Sequence, residues 1–123
     1  MLKSTCDFIK NCGVFYVLTV HENAPAGRPF GAIMEHEGKL YLSTGNEKNV
    51  YRQIMENSAV QLVAFHPETG HWVRVGGTAK ETKSLALKQK MMEECPVLGR
   101  HFASPEAPHF ALLEVTVTNT EFF

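Results

Sequence analysis

Two cations, two hydroxyls and a helix start crowd the stretch Gly27–Asn57, which reads GRPFGAIMEHEGKLYLSTGNEKNVYRQIMEN. Arg28 heads one extended segment. Ser43, Thr44, Gly45, Lys48 and Asn49 gather where a second extended segment passes into a helix. A guanidinium and an ammonium bring positive charge, hydroxyls donate, and the first N–H groups of a helix lack partners at the positive end of its dipole. Residues of these types in this order suit an anion, and phosphate is the obvious one. The plainer reading is that Ser43 and Thr44 cap the helix and Lys48 is solvated. A hairpin turn at His36–Lys39 would place residues summing to about 74 opposite one another. Arg28 would then fall beside Gly45 and Asn46, next to the helix start.

A second constellation is Trp72 and Arg74. Two apart on a strand, they share a face. An arginine on a covered face needs a partner, which a ligand or a second subunit would supply. The six histidines, His21, His36, His66, His71, His101 and His109, show no HxxxH or HxH spacing, so no metal site is expected. The three cysteines, Cys6, Cys12 and Cys95, form no CxxC and read as buried free thiols. Cys95 follows a helix, and the negative helix end raises a thiol pKa rather than activating it. No GxSxG, HExxH, P-loop or GxGxxG motif occurs.

The elements that must position these residues follow from periodicity and breakers. Ser4–Asn11 forms a short helix ended by Gly13. Gly13–Val20 is a β-branched and aromatic strand. His21–Gly27 reads as a turn. A strand from Arg28 to the His36–Lys39 turn carries Pro29 at its start or on an edge, and Gly31 at a bulge or a close approach. Lys39–Thr44 returns antiparallel. A helix then runs to about Asn57, with Thr44–Glu47 as a capping box or Asn46 as N-cap. Ala59–Phe65 and His71–Glu81 are strands around the loop His66–Gly70, and the pair Gly76–Gly77 suggests a bend. Ser84–Glu94 is an amphipathic helix, Val97–His109 an irregular connection, and Phe110–Phe123 a last strand. Six strands and three helices, joined mostly by hairpins, predict a mainly β chain and a small antiparallel barrel, closed or split.

The chain of 123 residues suits one domain. Its net charge of −1, with 12 Lys and Arg scattered among 13 Asp and Glu, argues against a nucleic-acid or anionic-membrane surface. The N-terminus MLKSTCDFIKNCG has no long apolar run, and no segment approaches membrane-span length. A cytoplasmic protein is the expectation.

Taken in order, the motifs Arg28-Pro29-Phe30-Gly31, Leu40-Tyr41-Leu42-Ser43-Thr44, Lys48-Asn49-Val50-Tyr51, Asn57-Ser58-Ala59-Val60 and Trp72-Val73-Arg74-Val75-Gly76-Gly77 resemble the pyridoxamine 5'-phosphate oxidase-like FMN-binding split barrels. Their short single-domain bacterial members are the closer likeness. The resemblance implies a six-stranded antiparallel split barrel working as a homodimer, with two FMN molecules in the clefts between subunits. It implies that Arg28, Ser43, Thr44 and Lys48 hold the phosphate with Asn49 beside them. Pro29, Phe30 and Gly31 would border the flavin ring, and Trp72 and Arg74 would lie near it.

Oxidation of pyridoxamine phosphate is not expected. The true vitamin B6 oxidases carry a C-terminal Arg-x-His-like segment, whereas this sequence reads Glu121-Phe122-Phe123 there, and it has Trp72 at a position where they have Gln. The first expectation is thus an FMN-dependent reductase of a small aromatic or nitro-substituted molecule. NAD(P)H is a candidate donor, and His71 and Arg74 are candidate electrostatic helpers. The alternatives are a non-catalytic flavin store or electron carrier, or a barrel that binds deazaflavin or heme.

Overall fold

The computed structural model describes residues 2–123. Three helices, α1 (Leu2–Cys12), α2 (Asn49–Glu56) and α3 (Leu85–Glu94), accompany seven strands. These are β1 (Phe15–His21), β2 (Ala24–Phe30), β3 (Met34–His36), β4 (Lys39–Gly45), β5 (Ala59–Phe65), β6 (Trp72–Thr82) and β7 (Phe110–Phe122). One sheet holds all seven in the order β2-β1-β5-β6-β7-β4-β3, and every pairing is antiparallel. The mainly β, antiparallel expectation stands. The strand number is seven rather than six, and the sheet is not closed.

The extra strand arises because the segment expected to run as one strand from Arg28 to the His36–Lys39 turn breaks at residues 31–33 into β2 and β3, and a turn tighter than the composition suggested extends β2 back to Ala24. Glu22 and Asn23 have φ of 50° and 65° and form a two-residue loop between β1 and β2. Two positive φ values in succession give the twist that suits a hairpin. Pairing then runs from His21↔Ala24 to Phe15↔Phe30. His21–Gly27 is therefore mostly strand, and Pro25 and Pro29 are tolerated because β2 is a sheet edge. Arg28 lies opposite Val17 and not opposite Gly45. The expected His36–Lys39 hairpin exists, but its ladder spans only Met34↔Tyr41 to His36↔Lys39.

Residues 31–33 leave the ladder between β2 and β3, which are the two edges of the sheet. A flat sheet of this size would set its edges about 29 Å apart, at about 4.8 Å per strand. The four steps from Phe30 to Met34 reach at most about 14 Å. The sheet must therefore curl until its edges face each other.

Two buried clusters result. The first fills the curl with Phe15, Val17, Leu40, Leu42, Leu62, Val73, Val75, Leu113 and Val115, closed by Ile9 of α1 and by Val50 and Ile54 of α2. The second lies outside it, where Met91 of α3 and Leu98 and Phe102 meet Met34, Tyr41, Phe110 and Leu112. Strands β4 and β7 serve both, one face each, so their sequences read as nearly continuous apolar runs. Each fully buried Leu or Met contributes about 1.5–3 kcal/mol relative to exposure.

The Gly pair on β6 marks a register shift against β7 between Gly76 and Gly77. A Cβ at Gly77 would run into the Thr116 carbonyl, whereas one at Gly76 would meet open space. Gly77→Ala is expected to destabilise the protein by about 1–3 kcal/mol through overpacking, and Gly76→Ala to have a much smaller effect. Urea unfolding of the two variants checks the contrast.

Candidate functional site

The anion-friendly junction is built by β4, which delivers Ser43, Thr44 and Gly45, and by α2, which starts four residues on. Lys48 is the N-cap of α2, and no side chain caps the helix. The expected Thr44–Glu47 capping box is absent because the helix starts later, with Lys48 as its N-cap, and Asn46, the other expected cap, is engaged elsewhere. Its backbone N–H donates to His109 O at 2.9 Å, and its amide donates to Pro108 O at 3.1 Å. The leading N–H groups of α2 thus lack a side-chain acceptor and leave the positive helix end available.

Arg28 reaches this region by way of the curl. Its Nη1 donates to Val17 O at 3.2 Å, Thr19 Oγ1 at 2.8 Å and Ala26 O at 3.2 Å. Its Nη2 donates to Gln53 Oε1 at 2.7 Å, which also accepts from Thr19 Oγ1 at 2.5 Å. Strand β1 and helix α2 therefore hold the guanidinium together. Every one of these acceptors is neutral, and among the described residues neither Arg28 nor Lys48 makes an ion pair. Burial lowers the Arg28 pKa. A partly desolvated cation with no counter-charge favours an incoming anion.

Ser43 supplies a second unmet requirement, since its Oγ is buried without a hydrogen-bond partner. A cavity of about 340 Å³ joins the two groups, a size within the range of small-molecule sites. Arg28, Pro29, Phe30 and Gly31 form one side of it, and Ser43, Thr44, Gly45 and Lys48 another. A Cβ at Gly31 would meet nothing within contact distance, so the backbone there is open to a flat ligand. A phosphate-bearing ring compound fits these residues: a cation without a counter-ion, a hydroxyl without a partner, an uncapped helix and a bare stretch of backbone.

Not every expected site residue lies here. Asn49 opens α2 but is exposed, and its Oδ1 accepts from Arg52 Nη2. Trp72 and Arg74 do not line the cavity. Trp72 stacks on Phe123 at 4.2 Å, and Arg74 lies over both rings. Arg74 also donates to Glu121 Oε1 from Nε at 3.1 Å and from Nη2 at 3.0 Å. The partner expected for that arginine is thus a carboxylate of this chain. His71 Nδ1 lies 3.1 Å from Phe123 O, in the same aromatic group.

A third wall went unseen in the sequence. Val97, Leu98, His101, Phe102 and His109 complete the cavity, and all lie in the connection read as irregular. Phe102 fixes this wall: it stacks on Phe110 at 4.4 Å and packs against the His109 ring at 4.9 Å. A hydrogen bond of 3.0 Å joins His109 Nε2 and His101 O. The two histidines match no ligand spacing, so the signals of a packed segment were its large apolar residues, the buried Leu98 and Phe102 above all.

The cysteines are free. Burial pushes the Cys6 thiol up to about 11. Burial is likewise the leading cause of the rise at Cys95. Among the described residues no group of three or more His, Cys, Asp or Glu is placed to hold a metal, and no helix is long and apolar enough to cross a membrane.

The family model described as Pyridoxamine 5'-phosphate oxidase matches residues 1–123. A nimc/nima family protein from Clostridium acetobutylicum is 32% identical, with a TM-score of 0.87 over 98% of this chain and 90% of that one. General Stress Protein 26 from Bacillus anthracis is 20% identical, with a TM-score of 0.82 over 99% and 93% of the two chains. A pyridoxamine 5'-phosphate oxidase-related, FMN binding protein from Nostoc punctiforme is 16% identical, with a TM-score of 0.75 over 98% and 81%. No curated protein matches by sequence.

The orphaned hydroxyl yields a prediction. A buried polar group without a partner costs about 1–3 kcal/mol. Ser43→Ala is therefore expected to stabilise the ligand-free protein by about 1 kcal/mol, read as a higher urea midpoint, while weakening any phosphate ligand. A loss of stability would show that Ser43 already has a structural partner.

Proposed function

The chain belongs to the pyridoxamine 5'-phosphate oxidase family, and from that membership we propose that it binds FMN and works as an FMN-dependent reductase of a small molecule. The observation that carries this reading is the pairing, on one cavity, of a guanidinium held only by neutral acceptors and a buried serine hydroxyl with no partner. Both needs are answered by a phosphate. The relative from Nostoc punctiforme described as FMN binding makes FMN the phosphate ester of choice.

In this reading Arg28, Ser43, Thr44 and Lys48 hold the phosphate, and the positive end of α2 adds to them. Pro29, Phe30 and Gly31 run along the ring, where the open space at Gly31 allows close approach. Val97, Leu98 and Phe102 form an apolar wall that excludes water. Bound FMN supplies hydride or electron transfer, and the protein supplies binding and orientation. NAD(P)H is the proposed donor and a small aromatic molecule the proposed acceptor.

A second copy of the chain completes the cleft. The outer face of the sheet exposes Tyr16 and Phe65, at 51% and 54%. Tyr16 stands in one row with Val63 and Arg74, and Phe65 pairs with Trp72 on the same face. Adjoining exposed aromatic side chains of this kind suit an interaction surface. A homodimer through this face would bring Trp72 and Arg74 of one protomer toward the cavity of the other.

Purified protein is expected to be yellow and to release FMN on denaturation. Colourless protein that takes up no added FMN contradicts the reading. Lys48→Ala should weaken FMN about five- to tenfold, as loss of an exposed charge-assisted contact, and unchanged affinity would show a solvated lysine. NAD(P)H-driven turnover faster than that of free FMN, across a panel of aromatic acceptors, is expected of an enzyme. No gain with any acceptor would leave a flavin carrier, and sedimentation at micromolar concentration should give a dimer.

A further inference from the structure

The anion end of the cavity contains a carboxylate of the protein itself. Glu47 lies between the end of β4 and the N-cap of α2 and lines the same cavity as Ser43, Thr44 and Lys48. Its carboxylate folds back over Gly45: a Cβ built on Gly45 would collide with the carboxylate carbon and both of its oxygens. Gly45 does not have the positive φ that calls for glycine. Its bare Cα instead provides the room that the carboxylate occupies.

Nothing ties that carboxylate down. Among the described residues Glu47 forms no ion pair with Lys48, Arg28 or Arg52. Arg52 holds only the Glu47 backbone, through Nη1 donating to the carbonyl oxygen at 2.8 Å. Helix α2 has no acidic residue in its first turn and no side-chain cap, so Glu47 is the carboxylate nearest its positive end. The charged and donating residues that share the cavity with it are Lys48 on its own segment, Ser43 and Thr44 on β4, Arg28 on β2, and His101 and His109 on the third wall.

We infer that Glu47 is an internal anion that competes with the ligand's phosphate and makes the site discriminate against ligand charge. This rests on the phosphate reading given above. In the empty site the carboxylate lies over Gly45, on the cavity whose cations a phosphate would use. A phosphate that enters meets a like charge and must displace a side chain that is free to swing out. The residue thus lowers affinity for phosphorylated flavin while leaving the uncharged flavin untouched, which favours exchange over permanent retention.

The test compares FMN with riboflavin, which has the ring without the phosphate, on wild type, Glu47→Gln and Glu47→Ala. Glu47 is exposed, so neither change threatens the core. Both variants are expected to bind FMN about three- to tenfold tighter than wild type, with riboflavin affinity unchanged within about twofold. The gain should shrink at high ionic strength, because screening weakens repulsion between exposed charges. Three results overturn the inference: no gain for FMN, an equal gain for riboflavin, or weaker FMN binding, which would make Glu47 a ligand contact. Wild type that binds FMN with no gain in the variants removes the Glu47 inference alone. If neither wild type nor Glu47→Gln binds FMN, the phosphate reading falls with it.

Discussion

The constraint on which the structure depends is a link of three residues. Residues 31–33 join strands at opposite edges of a seven-stranded sheet, and a chain that short cannot cross a flat sheet. The curl that follows encloses the first hydrophobic cluster. It also carries Arg28, from the β1–β2 hairpin, to the end of β4, to which it is not paired. The site and the core are therefore two results of one piece of geometry.

Electrostatics then decides what the enclosed space suits. Arg28 is oriented by Thr19 and Gln53 yet has no negative partner. The Ser43 hydroxyl is buried yet bonded to nothing. Each arrangement is unfavourable in the protein alone. Such unmet needs persist where a ligand meets them, and stability is then lower than the same fold would reach with an apolar residue in their place. The cluster of positive and donating groups at the uncapped start of α2 belongs to the same account.

Much of this was legible in the sequence, for identifiable reasons. The antiparallel strands were readable because β4, β5 and β6 alternate or run apolar between clear breakers. Ser43, Thr44 and Lys48 were readable because a strand-to-helix junction is local. Arg28 lines the same cavity as Ser43 and Lys48, but the hairpin expected to bring it there pairs only Met34–His36 with Lys39–Tyr41 and does not reach it. The true route runs through the turn at Glu22-Asn23, hidden in a Pro- and Gly-rich stretch that an edge strand tolerates. The wall of Val97, Leu98, Phe102, His101 and His109 was not readable, since only the packing of Phe102 on Phe110 brings it to the site. Trp72 and Arg74 were read as site residues from their shared face, and within one chain they do not line the cavity but contact Phe123 and Glu121.

The central claim is that a phosphate ester satisfies Arg28 and Ser43 together. A crystal structure of the protein grown with FMN tests it most directly. The account predicts the FMN phosphate within about 2.7–3.2 Å of both the Ser43 hydroxyl and the Arg28 guanidinium, with the ring along Pro29–Gly31. A phosphate bound elsewhere, or a Ser43 hydroxyl still without a partner in the complex, would contradict it.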